Sequence, residues 1–143
     1  MFHVTIKKIK YKLMKKVLFV CVENSCRSQM AEAFGKMHGK GIVEVYSSGS
    51  KASGVVNPKA IAAMAAVGYD LNEHISEGLD KIPQEKYAYA ITMGCGDECP
   101  MVDAENREDW VLPDPKHMEP AEFNKVRDII ETEVKDLINK LKG

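Results

Sequence analysis

Apolar residues along this chain fall either in short continuous runs or in longer stretches of helical spacing. "KVLFVC", Lys16 to Cys21, is a continuous run with polar, turn-forming residues directly after it, the pattern of a strand buried on both faces. From Ser28 onward Met30, Ala31, Phe34 and Met37 recur at helical spacing until "HGKG", where Gly39 and Gly41 end the helix. "IVEVYSS" at 42–48 predicts a second strand. "NPKAIAAMAAVGYD" predicts a second helix with Asn57 as N-cap, Pro58 at the first helical position and Gly68 just past the end. "YAYAITM" at 87–93 predicts a third strand, and "DWVLP" at 109–113 a short fourth. From Pro120 to Leu141 the set Phe123, Val126, Ile130, Val134, Leu137 and Leu141 steps by three or four residues, which marks a long amphipathic closing helix.

Strands alternating with helices imply an α/β fold: a parallel sheet in a three-layer domain, with helices on both faces because right-handed crossovers place them there. In such sheets ligands bind beyond the C-terminal ends of the strands. Cys21 ends the first strand and Cys95 follows the third, so both are expected at that edge.

At 143 residues and 45% hydrophobic, the chain supports one core and one domain. Residues 1–14, with Lys7, Lys8, Lys10 and Lys12, precede the core pattern and read as an accessory extension to a domain at 15–143. That segment lacks the apolar core and small-residue cleavage site of a signal peptide, so a cytoplasmic location is expected. A net charge of -1 argues against general affinity for nucleic acid or anionic membrane. The apolar runs fall well short of the roughly 20 residues of a membrane span.

The candidate chemistry sits in "CVENSCRS", Cys21 to Ser28. A tetrahedral oxyanion can be held by a loop whose backbone N–H groups point inward and whose end becomes a helix N-terminus. Val22, Glu23, Asn24, Ser25 and Cys26 are enough to curl round one anion, with Arg27 offering a bidentate fork and Cys21 aimed at the central atom. The same positive field favours the Cys21 thiolate, and the Ser28 hydroxyl can hydrogen-bond it. Competing readings are a buried strand cysteine beside a solvated arginine, or a zinc pair of Cys21 and Cys26. The zinc pair is the less favoured of the two, although its C-x₄-C spacing lies within the range of paired ligands. Cys26 reads as structural or incidental.

With "YSSG" (46–49), "NPKAIAAM" (57–64), "ITMGCGDECP" (91–100) and "LPDP" (112–115) added, the chain from about Lys15 onward resembles the low-molecular-weight protein tyrosine phosphatase superfamily. Within it, the resemblance is to the arsenate reductases of the thiol-disulfide relay type. The resemblance implies a four-stranded sheet in the order 2-1-3-4. It implies that Cys21 attacks arsenate held by Arg27 and the loop amides, and that Asp114 protonates the leaving oxygen. A carboxylic acid does this best when partial burial and a nearby anion raise its pKa. Cys95 would then attack the Cys21–arsenic adduct, and Cys99 would attack Cys95, leaving a disulfide for thioredoxin or a similar dithiol partner to reduce. Gly94 and Gly96 suit a segment that must move between these arrangements. Here Cys95 and Cys99 lie closer together than in some relatives, which bears on the identity of the reductant.

Some relatives also bind potassium through residues matching Asn24, Glu32 and Ser47, although Ile75 stands where such relatives carry a hydroxyl. The structural alternative has Asn24 bracing the loop and Glu32 on a solvated helix face. Glu23 is a further departure, a negative charge beside an anion site that is tolerable if it points to solvent. Two other functional readings compete. A phosphomonoesterase needs only Cys21, Arg27 and Asp114, although "DPKHM" (114–118) offers no aromatic residue to grip a substrate ring. A binding protein could use Cys95 and Cys99, with His117 or His74, to hold zinc or arsenite.

Overall fold

The computed structural model describes residues 14–94 and 102–142 of the chain. Cys95, Cys99 and the proposed 1–14 extension up to residue 13 lie outside the described residues. Four parallel strands, β1 (Lys15–Cys21), β2 (Val43–Gly49), β3 (Tyr87–Thr92) and β4 (Ala104–Asp109), form one sheet in the order β2-β1-β3-β4. Three α-helices accompany them: α1 (Arg27–His38), α2 (Pro58–Ala65) and α3 (Pro120–Lys142). Among the described residues, no helix is long and apolar enough to cross a membrane.

β1 is central and buried on both faces, as its unbroken apolar run requires. Val17, Phe19 and Cys21 face a core shared with Met30 and Phe34 of α1, Met64 of α2 and Ile130 and Val134 of α3. Leu18 and Val20 face a second cluster with Tyr87, Ala90 and Ile82. The chain steps one way from β1 to β2 and back across β1 to reach β3, so the right-handed return to β3 crosses the face opposite α1, after the connection has first placed α2 in the core shared with α1. The second connection carries two 3₁₀ turns, Leu71–Glu73 and Leu79–Lys81, and Leu79 packs on the second face. All three α-helices contribute to the first core, so 3₁₀ structure and its flanks, rather than a long helix, close the second face.

The end signals act as expected at α2, where the Asn57 side chain accepts from Lys59 N–H at 2.8 Å and Gly68 lies just beyond, at φ +89°. The fourth strand is displaced from its expected place. The sequence places the fourth strand at 109–113, where Trp110 and Leu112 are buried and Val111 is exposed. The ladder nevertheless runs through the polar "AENRED" and ends where Trp110 N–H bonds Thr92 O at 2.8 Å. An edge strand needs only one row of backbone partners and leaves most of its side chains in water, so its sequence lacks an apolar run. The freed 110–115 segment instead turns over the C-terminal edge, carrying Leu112 and Asp114 toward the loop after β1.

Candidate active site

The six carbonyls from Cys21 to Cys26 all find donors in the scaffold. Ser50 N–H bonds Cys21 O (3.1 Å), Lys51 N–H bonds Val22 O (2.8 Å), Ser53 N–H bonds Glu23 O (3.1 Å) and Asn57 N–H bonds Ser25 O (3.0 Å). Gln29 Nε2 takes Asn24 O at 3.0 Å, and Met30 N–H takes Cys26 O at 3.0 Å. In a trans peptide the N–H points opposite to the carbonyl, so outward carbonyls turn the N–H groups of residues 22–27 toward the loop centre. The first amides of α1 add donors without intrahelical acceptors. This is a concave nest for one anion.

The nest's shape depends on Asn24, which is fully buried and held at φ +52°. Its Oδ1 accepts from Glu77 N–H at 2.9 Å, and because a backbone N–H can only donate, the amide orientation is settled. Asn24 Nδ2 therefore donates to Ser28 Oγ (2.8 Å) and Ser47 Oγ (3.0 Å). Ser28 Oγ lies 2.9 Å from Cys21 Sγ and is the donor when Cys21 is a thiolate, which can only accept. Gln29 Nε2 donates to two carbonyls, Asn24 O and Ile75 O at 3.0 Å, so Gln29 Oε1 must be the atom facing His74 Nδ1 at 2.9 Å. His74 thus carries its proton on Nδ1, and its Nε2 accepts from Tyr69 O–H at 2.6 Å. Burial lowers the His74 pKa, with Glu32 opposing and Lys36 reinforcing, which favours the neutral ring this chain requires. Donors thus point one way from Tyr69 to the Cys21 sulfur.

A small pocket over the loop is lined by Cys21, Val22, Glu23, Ser25, Cys26, Arg27 and Asp114. Larger cavities beside Leu79 and Ile82, and between α2 and α3, contain none of these groups. Arg27 is buried, and its Nη1 donates to Leu112 O at 3.2 Å. Gly94 permits this: at φ +77°, a Cβ there would come within 2.8 Å of Arg27 Nη1. On the other side of the loop a Cβ on Gly49 would meet Val22 O at 2.6 Å, so glycine at the end of β2 lets the loop close in.

Asp114 Oδ2 lies 3.9 Å from Arg27 Nη2, and its Oδ1 accepts Lys116 N–H at 3.0 Å. It is more exposed than the partly buried acid anticipated, 56% at the side chain. Cys26 lines the same pocket, and burial, partly offset by Ser25, pushes its thiol up to about 11. A thiol so placed stays protonated at neutral pH.

Glu23 does not simply point to solvent; its Oε1 is 2.9 Å from Lys116 Nζ. Glu32 does not lie on a solvated face either. Its side chain is 16% exposed, accepts from Ser47 Oγ and pairs with Lys36 Nζ at 2.9 Å. Asn24, Ser47 and Glu32 do come together, as the potassium reading requires, but their donor set does not fit the ion. Asn24 turns its NH₂ group toward Ser47, its carbonyl oxygen is taken by Gln29 and Glu77, and an ammonium already stands beside Glu32. Ile75 extends an exposed side chain and contributes its carbonyl, while the Ser76 hydroxyl next to it bonds Glu23 O at 2.9 Å.

Sequence reading did not single out Gln29, Tyr69, Ser76 or Lys116, and weighed His74 only as a zinc ligand. Gln29 stands on a buried helix face where an apolar residue is usual, and that misfit was the available signal.

A strand, an anion nest and a helix, with a thiol at the base of the nest and an arginine at its rim, define a phosphatase-type oxyanion fold. The profile of the low molecular weight phosphotyrosine protein phosphatase family matches residues 16–143, and the chain belongs to that family. Its relatives include the "Glutaredoxin arsenate reductase" of Synechocystis sp., 42% identical over 90% of this chain and 99% of that protein. The "Arsenate reductase" of Staphylococcus aureus is 39% identical over 90% of this chain and 96% of that one. A solved structure described as an arsenate reductase in the phosphate binding state superposes with a TM-score of 0.82, at 42% identity, over 90% of this chain and 99% of that one.

Proposed function

We propose that this chain is an arsenate reductase working through a three-cysteine relay. The observation that carries the reading is the Cys21 sulfur at the base of an inward-facing amide nest, bonded by Ser28 and flanked by Arg27 and Asp114. Arsenate would sit in the nest with its oxygens on the loop amides and the Arg27 fork. The Cys21 thiolate attacks arsenic and an oxygen leaves as water, taking its proton from Asp114. The Cys95 thiolate then attacks the Cys21 sulfur; the S–As bond breaks, its electron pair stays on arsenic, and As(V) becomes As(III), released as arsenite. Cys99 attacks Cys95 in turn, freeing the Cys21 thiolate and leaving a Cys95–Cys99 disulfide. A dithiol protein of the thioredoxin or glutaredoxin class returns the two electrons; the name of the Synechocystis relative supports the second of these. Gly94, which precedes Cys95 in sequence, packs against Arg27, so the segment holding the second sulfur starts at the edge of the pocket. Cytoplasmic thiol-reducing conditions suit this chemistry.

Incubation with arsenate and a thioredoxin or glutaredoxin system should yield arsenite, and Cys95→Ser or Cys99→Ser should abolish turnover. Full turnover in both variants would overturn the relay.

A second reading, a phosphotyrosine phosphatase, is favoured by the family's own description and needs only Cys21, Arg27 and Asp114. Against it stand the residues after Asp114-Pro115, Lys116, His117 and Met118, which offer no aromatic ring to grip a substrate. Efficient aryl phosphate turnover that survives loss of Cys95 would favour it.

A further inference from the structure

Glu23 is an unexpected residue in an anion loop. Glu23 and Asp114 both line the pocket, so two acidic residues border the position of an incoming oxyanion, against one arginine. The charge is met by Lys116, whose Nζ lies 2.9 Å from Glu23 Oε1. The Glu23 contact raises the Lys116 pKa further, which keeps the ammonium charged.

Both ends of this pair are anchored. The Glu23 carbonyl accepts from Ser76 Oγ (2.9 Å) and from Ser53 N–H (3.1 Å), fixing the backbone beneath the carboxylate. Lys116 donates its own N–H to Asp114 Oδ1 at 3.0 Å. From α2, Lys59 Nζ holds the carbonyls of Lys116 (3.3 Å) and Met118 (3.0 Å). The ion pair therefore joins two rigid supports, the anion loop and the turn that presents Asp114.

Its position has a chemical consequence. In-line attack by Cys21 places the leaving oxygen opposite the sulfur, on the side of the proton donor Asp114. An ester group on that oxygen would have to leave the pocket past Asp114, alongside the Glu23–Lys116 pair.

We propose that Glu23 and Lys116 form a specificity strap across the pocket rim, which admits an unesterified oxyanion and obstructs an aryl phosphate. The strap deepens the arsenate-reductase reading by stating why the same loop prefers an inorganic substrate. Lys116 also has a distinct part in it, because without the ammonium the Glu23 carboxylate repels the anion.

The test compares p-nitrophenyl phosphate hydrolysis, and its competitive inhibition by arsenate, in the wild type, Lys116→Ala, and the double variant Glu23→Gln/Lys116→Ala. Neither readout needs a working relay, so failure of arsenate reduction would overturn the functional reading and leave this comparison intact. For a half-exposed ion pair, arsenate inhibition should weaken about fivefold in Lys116→Ala and recover most of that loss in the double variant. Aryl phosphate kcat/KM should rise about fivefold or more in the double variant. Salt should narrow the difference between Lys116→Ala and wild type, as screening of a charge effect requires and a packing defect does not. Unchanged arsenate inhibition in Lys116→Ala, or aryl phosphate kcat/KM no higher in the double variant than in wild type, would overturn the strap.

Discussion

Arg27 performs two tasks with one guanidinium. Its Nη1 holds Leu112 O and its Nη2 faces Asp114, so the fork aligns the turn that carries the acid while offering its remaining donors to the nest. A lysine has the charge but not the planar fork. Arg27→Lys is expected to lower kcat/KM for arsenate by about 10²-fold, in the range for losing a preorganised oxyanion donor, with little change in thermal stability; steady-state kinetics beside a melting curve checks both. That Cys21 and Arg27 share one loop was legible in the sequence because the pair sits between a buried strand run and an amphipathic helix, not because of its spacing alone. Glu23 was legible as an oddity, but its partner was not. Lys116 lies ninety-three positions away, and only the fold brings the two together.

At the level of elements, the loop is held from outside more than from within. Its carbonyls draw on the segment after β2, on α1 and on the turn before the second 3₁₀ helix, and Gln29 is the side chain that ties α1, the loop and that turn together. Gln29→Ala leaves Asn24 O, Ile75 O and the His74 Nδ1–H without their partner and should cost about 1–3 kcal/mol on the scale of an unsatisfied buried group. Urea unfolding would measure it, and a loss below a few tenths of a kcal/mol would show that the bonds are dispensable. Elements with a single periodicity were readable from sequence: β1 by its unbroken apolar run, α3 by its spacing, α2 by its cap. β4 was not, because a polar edge strand carries no period, and the buried Trp110 and Leu112 next to it imitate one. The 3₁₀ turn at Leu79–Lys81, which helps complete the second face, was equally silent, being too short for a pattern.

For the molecule as a whole, the donor chain from Tyr69 through His74 to Cys21 links stability to pH. His74 has a lowered pKa in the fold because burial disfavours its charged form, so below about pH 6.5 the unfolded chain binds more protons than the native one. Its contribution is fully present above that ordinary histidine value and declines as pH falls toward the folded-state pKa. Glu77, raised by burial and by Glu32, acts with the opposite sign in a more acidic range, but does so equally in a His74 variant. The difference in unfolding free energy between wild type and His74→Asn should therefore shrink from pH 8 to pH 5; a difference independent of pH would exclude this linkage. β1 and β3 are adjacent and parallel, so the chain leaves β3 at the same edge of the sheet as the loop that begins at Cys21. The most direct measurement of the central claim is mass spectrometry of thiols after one arsenate turnover without reductant. The relay predicts one arsenite released per chain and a Cys95–Cys99 linkage with Cys21 and Cys26 free. Four free thiols after exposure to arsenate would contradict it.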